Sequence, residues 1–271
     1  MTSLYVEDVH VAYGATKIVS GASLSTNSGE LAVLVGPNGC GKSTLLKAIA
    51  RVLPLKSGTV RLQDLNVHTT STKLVAQQLA LLPQGPIAPE GLTVRELVSQ
   101  GRFPHQSLWR QWSQADTDAV DRVMRQTMVA ELADRPVAEL SGGQRQRCWI
   151  AMILAQDTPV LLLDEPTTFL DLKVQVDLMT LLKDIAHKEQ RTVLVVLHDL
   201  NVAASFADRM IMMKAGQIVV DGPVPEVLTP ENLKEVFDLS ADVVFAPETG
   251  LPVCIPKTGA DPIKVSQAVA L

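Results

Sequence analysis

Aromatic residues are scarce in this sequence, 4% of 271, and there are only three cysteines, Cys40, Cys148 and Cys254. An odd count at these spacings matches neither a disulfide framework nor a zinc ligand set, and fits a reducing compartment. Long hydrophobic runs are missing as well. The longest, Cys148–Ala155, falls far short of the roughly 20 residues a membrane-spanning helix needs. Residues 1–14 lack the charged start and apolar stretch of a secretory signal, so the expectation is a soluble protein that stays where it is made. Basic charge is not in excess either: 24 Lys and Arg stand against 29 Asp and Glu, a net charge of -5. A nucleic-acid binder normally shows a basic face, so nucleic acid is not expected as a partner.

What is present is a 46% apolar chain, enough at this length to bury about three quarters of its unfolded surface. Short apolar runs at Leu31–Val35, Leu79–Leu82, Val160–Leu163, Val193–Leu197 and Met210–Met213 read as central parallel strands. Between them, Leu45–Leu53 and residues 173–187 carry helical spacing, the latter through Val176, Met179, Leu182 and Ile185. Strands alternating with helices predict an α/β sheet. Residues 4–25 and 58–67 read as short strands of an antiparallel accessory sheet, and residues 93–156 as an inserted helical subdomain. The tail from about Ser240 is rich in Pro and Gly and carries no interpretable motif.

Gly36-Pro37-Asn38-Gly39-Cys40-Gly41-Lys42-Ser43-Thr44 fits a glycine-rich phosphate loop, G-x-x-x-x-G-K-[ST], between a predicted strand and a predicted helix. Glycines let successive N–H groups turn inward into a phosphate-holding nest, and the helix N-terminus adds positive potential. Lys42 can bring a full charge to the β/γ-phosphates and Ser43 a hydroxyl to magnesium. Asp164 and Glu165 end the strand Val160–Leu163, at the sheet edge where α/β folds bind ligands. Two carboxylates facing a phosphate imply a cation, with Asp164 toward the metal and Glu165 polarising the attacking water. A second anion-binding turn, Ser141-Gly142-Gly143-Gln144 after Leu140, opens another helical stretch. One triphosphate does not need two cradles in one chain. A two-fold homodimer resolves this, each copy offering one cradle to either nucleotide.

This ordered set resembles the ATPase subunit of an ATP-binding-cassette transporter over about residues 3–237. Gly36–Thr44 resembles that family's Walker A, Leu140–Gln144 its signature and Val160–Glu165 its Walker B. Gln84 falls at the Q-loop, Thr168–Asp171 at the D-loop, His198 at the switch histidine and Tyr13 at the A-loop aromatic. The resemblance implies a P-loop NTPase (RecA-like) core and a catalytic unit over 1–239 with a short extension, 240–271. It implies ATP and Mg2+ as cofactors, with Ser43, Gln84 and Asp164 at the metal. Tyr13 would stack on adenine and Gln84 would sense the metal or water. Ser141 and Gly143 would contact the γ-phosphate across the dimer, Asp171 would help close that interface, and His198 would hold the γ-phosphate and attacking water.

The partners implied are integral membrane permease subunits at the cytoplasmic face of the cell membrane and, indirectly, a periplasmic or surface substrate-binding protein. The region after Gln84, including Leu92–Val98 and Gly101–His105, would form the permease surface. It looks most like the ferric-siderophore importer ATPases, with cobalamin and haem importers in the same broad group. Two rivals are a soluble cassette ATPase acting on nucleic acid and a P-loop phosphotransferase. Cys40 would lean toward a thiolate beside Lys42 and the loop N–H groups, or simply fill a small-residue position. Trp109 and Trp112 read as subdomain packing.

Overall fold

A computed structural model describes residues 2–106 and 112–257. Two antiparallel strands, β1 (Thr2–Tyr13) and β2 (Thr16–Asn27), open the chain. Strand β3 (Leu31–Val35), buried at every residue, leads into helix α1 (Lys42–Ile49). Strands β4 (Ser57–Leu62) and β5 (Leu65–Asn66) return to complete a four-stranded sheet in the order β2-β1-β4-β5. Helix α2 (Thr72–Ala76) and strand β6 (Leu79–Leu82) follow. The chain then leaves the core for α3 (Val94–Ser99), a 3-10 turn (Gln100–His105), α4 (Gln114–Gln126) and α5 (Gly142–Ala155). It re-enters as β7 (Val160–Asp164), α6 (Leu172–Glu189), β8 (Thr192–Val196), α7 (Leu200–Phe206) and β9 (Arg209–Lys214). Strand β10 (Gln217–Pro223), helices α8 (Val224–Val227) and α9 (Pro230–Phe237), and a hairpin of β11 (Ala241–Phe245) and β12 (Pro252–Pro256) end the described chain.

The central sheet runs β10-β9-β3-β8-β7-β6, parallel except at β10, with separate apolar clusters covering its two faces. Sheets buried on both faces need unbroken apolar strands, which is why these runs are legible. Among the described residues no helix is long and apolar enough to cross a membrane.

Three local expectations are corrected. The accessory strands β1 and β2 are long, 12 residues each, with bulges that let the pattern drift. Helix α1 stops at Ile49 because Arg51 takes a left-handed φ of 59°, which leaves Val52 60% exposed. Val176 is 40% exposed although Met179, Leu182 and Ile185 on the same helix are buried. In the tail, Asn201 on α7 pairs its side-chain amide with the backbone of Cys254, at 3.2 and 2.8 Å, and so fixes β12. Trp109 lies outside the described residues; Trp112 is exposed and donates to Thr117 Oγ1 at 2.8 Å.

Candidate active site

Between β3 and α1 the loop is shaped by glycine. A Cβ on Gly36 would come 2.2 Å from the Met213 carbonyl oxygen, so β9 can lie against the loop only if no side chain is there. Gly41, the N-cap of α1, sits at φ 108°, which L-residues rarely adopt. The Lys42 ammonium, only 5% exposed with its residue, donates to Gly36 O at 2.8 Å and Pro37 O at 3.1 Å. Its charge is therefore held inside the loop, at the centre of the cradle.

Strand β7 brings Asp164 beside that cradle. Ser43 Oγ donates to Asp164 Oδ1 at 2.9 Å, while Oδ2 is buried with no hydrogen-bond partner among the described residues. Burial pushes the Asp164 carboxyl up; the Ser43 hydrogen bond opposes this, and the neighbouring Glu165 charge adds to it. A buried carboxylate oxygen left bare next to a serine hydroxyl is a hard-oxygen donor pair. Mg2+ takes such pairs while keeping its other positions for phosphate and water, so these residues fit the ion.

Glu165 follows in a left-handed backbone conformation, φ 52°, a strain of roughly 1–2 kcal/mol for a non-glycine residue. Strain of this kind gathers at functional sites. Three side chains hold its carboxylate. His198 Nε2 lies 2.5 Å from Oε1, Gln84 Nε2 donates to Oε2 at 2.6 Å, and Thr168 Oγ1 donates to Oε2 at 3.2 Å. The ends of β6, β7 and β8 thus converge on one carboxylate. Thr168 was not singled out by the sequence as a partner of Glu165; its place three residues later in the Pro166-Thr167-Thr168 turn is the only local signal.

A cleft of about 630 Å³ unites Tyr13, Asn38, Gly39, Gly41, Lys42, Ser43, Thr44, Gln84, Glu165 and His198. Tyr13 is 51% exposed and lies at the rim, with Ile18 also lining the cleft. Cys40 does not line the cleft. Its thiol is buried against Gly36, and burial outweighs Lys42 and the loop N–H groups to raise its pKa. The expected lean toward thiolate is therefore reversed, because desolvation dominates over one nearby cation.

The second turn expected to bind an anion lies elsewhere. Ser141, Gly142, Gly143, Gln144 and Asp171 line a separate cavity of about 810 Å³. Ser141 and Gln144 form a reciprocal capping box at the start of α5, and Asp171 accepts from Val174 N at 2.9 Å to cap α6. A third hollow, about 500 Å³, lies between the loop Gly85–Glu90 and the α5 face of Arg145, Gln146 and Trp149. Three basic residues in the stretch expected at a partner surface bond within the chain, Arg95 in an exposed pair. Arg102 is buried on Asp116 at 2.9 Å and on Ala155 O at 2.8 Å, and His105 bonds Gln156 O at 2.8 Å. Arg95 pairs with Asp121 at 2.6 Å. Arg102 is thus buried rather than on a solvated helix face, whereas His105 is only partly buried and Phe103 between them is 76% exposed.

Comparison with known proteins gives the family. The family described as ABC transporter matches residues 19–168. The iron(3+)-hydroxamate import ATP-binding protein of Bacillus subtilis (strain 168) is 48% identical over 94% of this chain and 95% of its own. The ferric enterobactin transport ATP-binding protein of Escherichia coli (strain K12) is 40% identical over 92% of each. Among solved structures, a metal-chelate type ABC transporter in an inward-facing conformation superposes with a TM-score of 0.83 at 27% identity, covering 95% of this chain and 98% of that one. With its phosphate loop, paired acids and converging strand ends, the chain belongs to the ABC transporter family and is an ATP-binding cassette of it.

Proposed function

We propose that this chain is the ATP-hydrolysing subunit of an importer for iron(III)–siderophore complexes, working as two copies beneath a membrane permease. The family and the import relatives support ATP binding coupled to transport. The cargo class follows the relatives' hydroxamate and enterobactin names. The cassette need not touch cargo, so its own residues act on nucleotide alone.

The observation that carries the reading is the clamp on Glu165 beside the Lys42–Ser43–Asp164 cluster. In the proposed mechanism, loop N–H groups from Gly36 to Thr44 and the Lys42 ammonium hold the phosphates, and Tyr13 stacks on the base. Ser43 and Asp164 hold Mg2+, which when bound neutralises phosphate charge. Glu165 takes a proton from the attacking water, its carboxylate aimed by His198, Gln84 and Thr168. Phosphoryl transfer needs positioning and charge neutralisation more than a protein nucleophile, and this site supplies both. Ser141 and Gly143 sit in a separate cavity and would complete the site of a second copy, with Asp171 at the join.

Glu165→Gln keeps the shape and removes the base. Hydrolysis should fall by about 10²–10⁴ with MgATP affinity retained, as single-turnover assays and nucleotide titration would read. Parental turnover in that variant would remove Glu165 from the role. Reconstituting the cassette with its permease in vesicles and comparing uptake of ferric hydroxamate, ferric catecholate, haem and cobalamin tests the cargo. Uptake of cobalamin or haem without iron chelate would redirect the proposal.

A further inference from the structure

At the end of α5 opposite Ser141, the helix closes on Gln156, its C-cap. The Gln156 side-chain amide crosses to the core and donates to Ala76 O at 2.6 Å and Leu79 O at 3.0 Å. Its backbone oxygen accepts from His105 Nε2 at 2.8 Å. Further bonds join the same elements: Gln77 Nε2 to Pro104 O at 2.9 Å, and Arg102 to Ala155 O at 2.8 Å. The end of α2, the start of β6, the 3-10 turn and the end of α5 thus meet in one polar knot. Gln156 bonds both sides of it, the core through its side chain and the 3-10 turn through its backbone oxygen.

We infer that Gln156 is a positioning residue: it pins α5 to the start of β6 and so sets where Ser141 lies relative to Gln84, which follows the other end of that strand. The inference rests on the roles proposed above for Ser141 and Gln84. A carboxamide suits the task because one NH2 group supplies two donors for two backbone carbonyls. Apolar packing of α5 against α3 and α4 is non-directional and tolerates a small tilt; hydrogen bonds of fixed geometry do not. Helix α5 has 14 residues, so it is about 20 Å long. A tilt of about 5° around the pinned end would carry Ser141 by about 2 Å, and misplacements of about 1 Å can cost of order 10² in rate.

Two substitutions test the pin. Gln156→Met keeps the length and removes both donors, and Gln156→Glu keeps the shape while facing oxygens to oxygens. Both should lower kcat about tenfold or more while MgATP binding by the single chain changes by less than about twofold, because the cleft itself is untouched. Spin labels at Asp64→Cys, on the exposed turn after β4, and Arg122→Cys, on the exposed face of α4, report the angle between core and helical block. The native cysteines are buried and leave the labelling clean. The distance distribution should broaden or shift in both variants. Parental kcat with an unchanged distribution would overturn the inference, as would a parallel loss of nucleotide affinity, kcat and Tm, which marks a merely structural residue. Ser141→Arg separates this from the reading beneath it. If that chain hydrolyses ATP at the parental rate, the role of Ser141 fails; if it is inactive while Gln156→Met is normal, only the pin fails.

Discussion

In the nucleotide cleft, the chemistry-bearing side chains sit at strand ends and on the loop between β3 and α1, beside strands β3, β7 and β8 that are buried at every residue. In the helical block of α3, α4 and α5, Ser141 and Gln144 stand at a helix cap, and polar contacts tie the far end of α5 to its neighbours. One chain brings Lys42, Asp164 and Glu165 together; among the described residues, the cavity lined by Ser141 holds none of the residues of the Gly36–Thr44 loop. The difference teaches a division of labour. On the proposed reading the core would bind and activate nucleotide, and the block would present Ser141 to a second copy.

The largest effect that could break this division is Ser141→Arg. It should abolish steady-state hydrolysis while nucleotide titration of the isolated chain stays near parental. Loss of binding as well would place Ser141 in its own chain's cleft or point to misfolding. Next comes the buried pair Arg102–Asp116, which anchors the turn before α4 to the end of α5. Removing one partner of such a pair typically costs about 3 kcal/mol, so Arg102→Ala should lower Tm by several degrees in a thermal melt. Burial pushes the Asp116 carboxyl up, but hydrogen bonds from Ser113 and Arg102 outweigh it and hold the folded-state pKa below the ordinary aspartate value. The depressed value adds stability that is present above the unfolded pKa of about 4 and is lost as pH falls through the folded one. Arg102→Ala should therefore flatten the acid limb of the stability curve, and an unchanged limb would show the pair to be idle.

A smaller effect sharpens the cleft side. Tyr13→Ala should weaken ATP binding by about 1–3 kcal/mol, whereas Tyr13→Phe, which keeps the ring, should bind nearly as the parent does. Smallest of all is the reactivity of Cys40. Its thiol is buried and its pKa raised, so alkylation should run slower than for an exposed thiol, and should inhibit hydrolysis once complete. Mass spectrometry beside an ATPase assay reads both; full activity after complete modification would show that bulk at this position does not reach the phosphates.

Contiguity decides how much of this can be read from sequence. Gly36–Thr44 is legible because nine neighbouring residues build one cradle, and the central strands are legible because burial on both faces forbids interruptions. Thr168 on Glu165, Asn201 on Cys254 and Gln156 on Ala76 are not. The last two join residues 53 and 80 positions apart, and no periodicity encodes such pairs. Periodicity also misplaces Val176, since it marks an apolar stripe without saying what covers it. Arg102 and His105 look like surface cations until Asp116 and Gln156 are seen to take them up. Charge in a sequence says what a residue can bond, and only the fold says whether the partner is inside or outside the molecule.

The central claim is that two copies enclose each nucleotide, Lys42 from one and Ser141 from the other. A structure of the Glu165→Gln protein with MgATP tests it most directly. The account predicts a two-fold dimer with Ser141 Oγ of one copy about 3 Å from the terminal phosphate held by the partner's Lys42. A nucleotide bound by one chain alone, with the Ser141 turn far from every terminal phosphate, would contradict it.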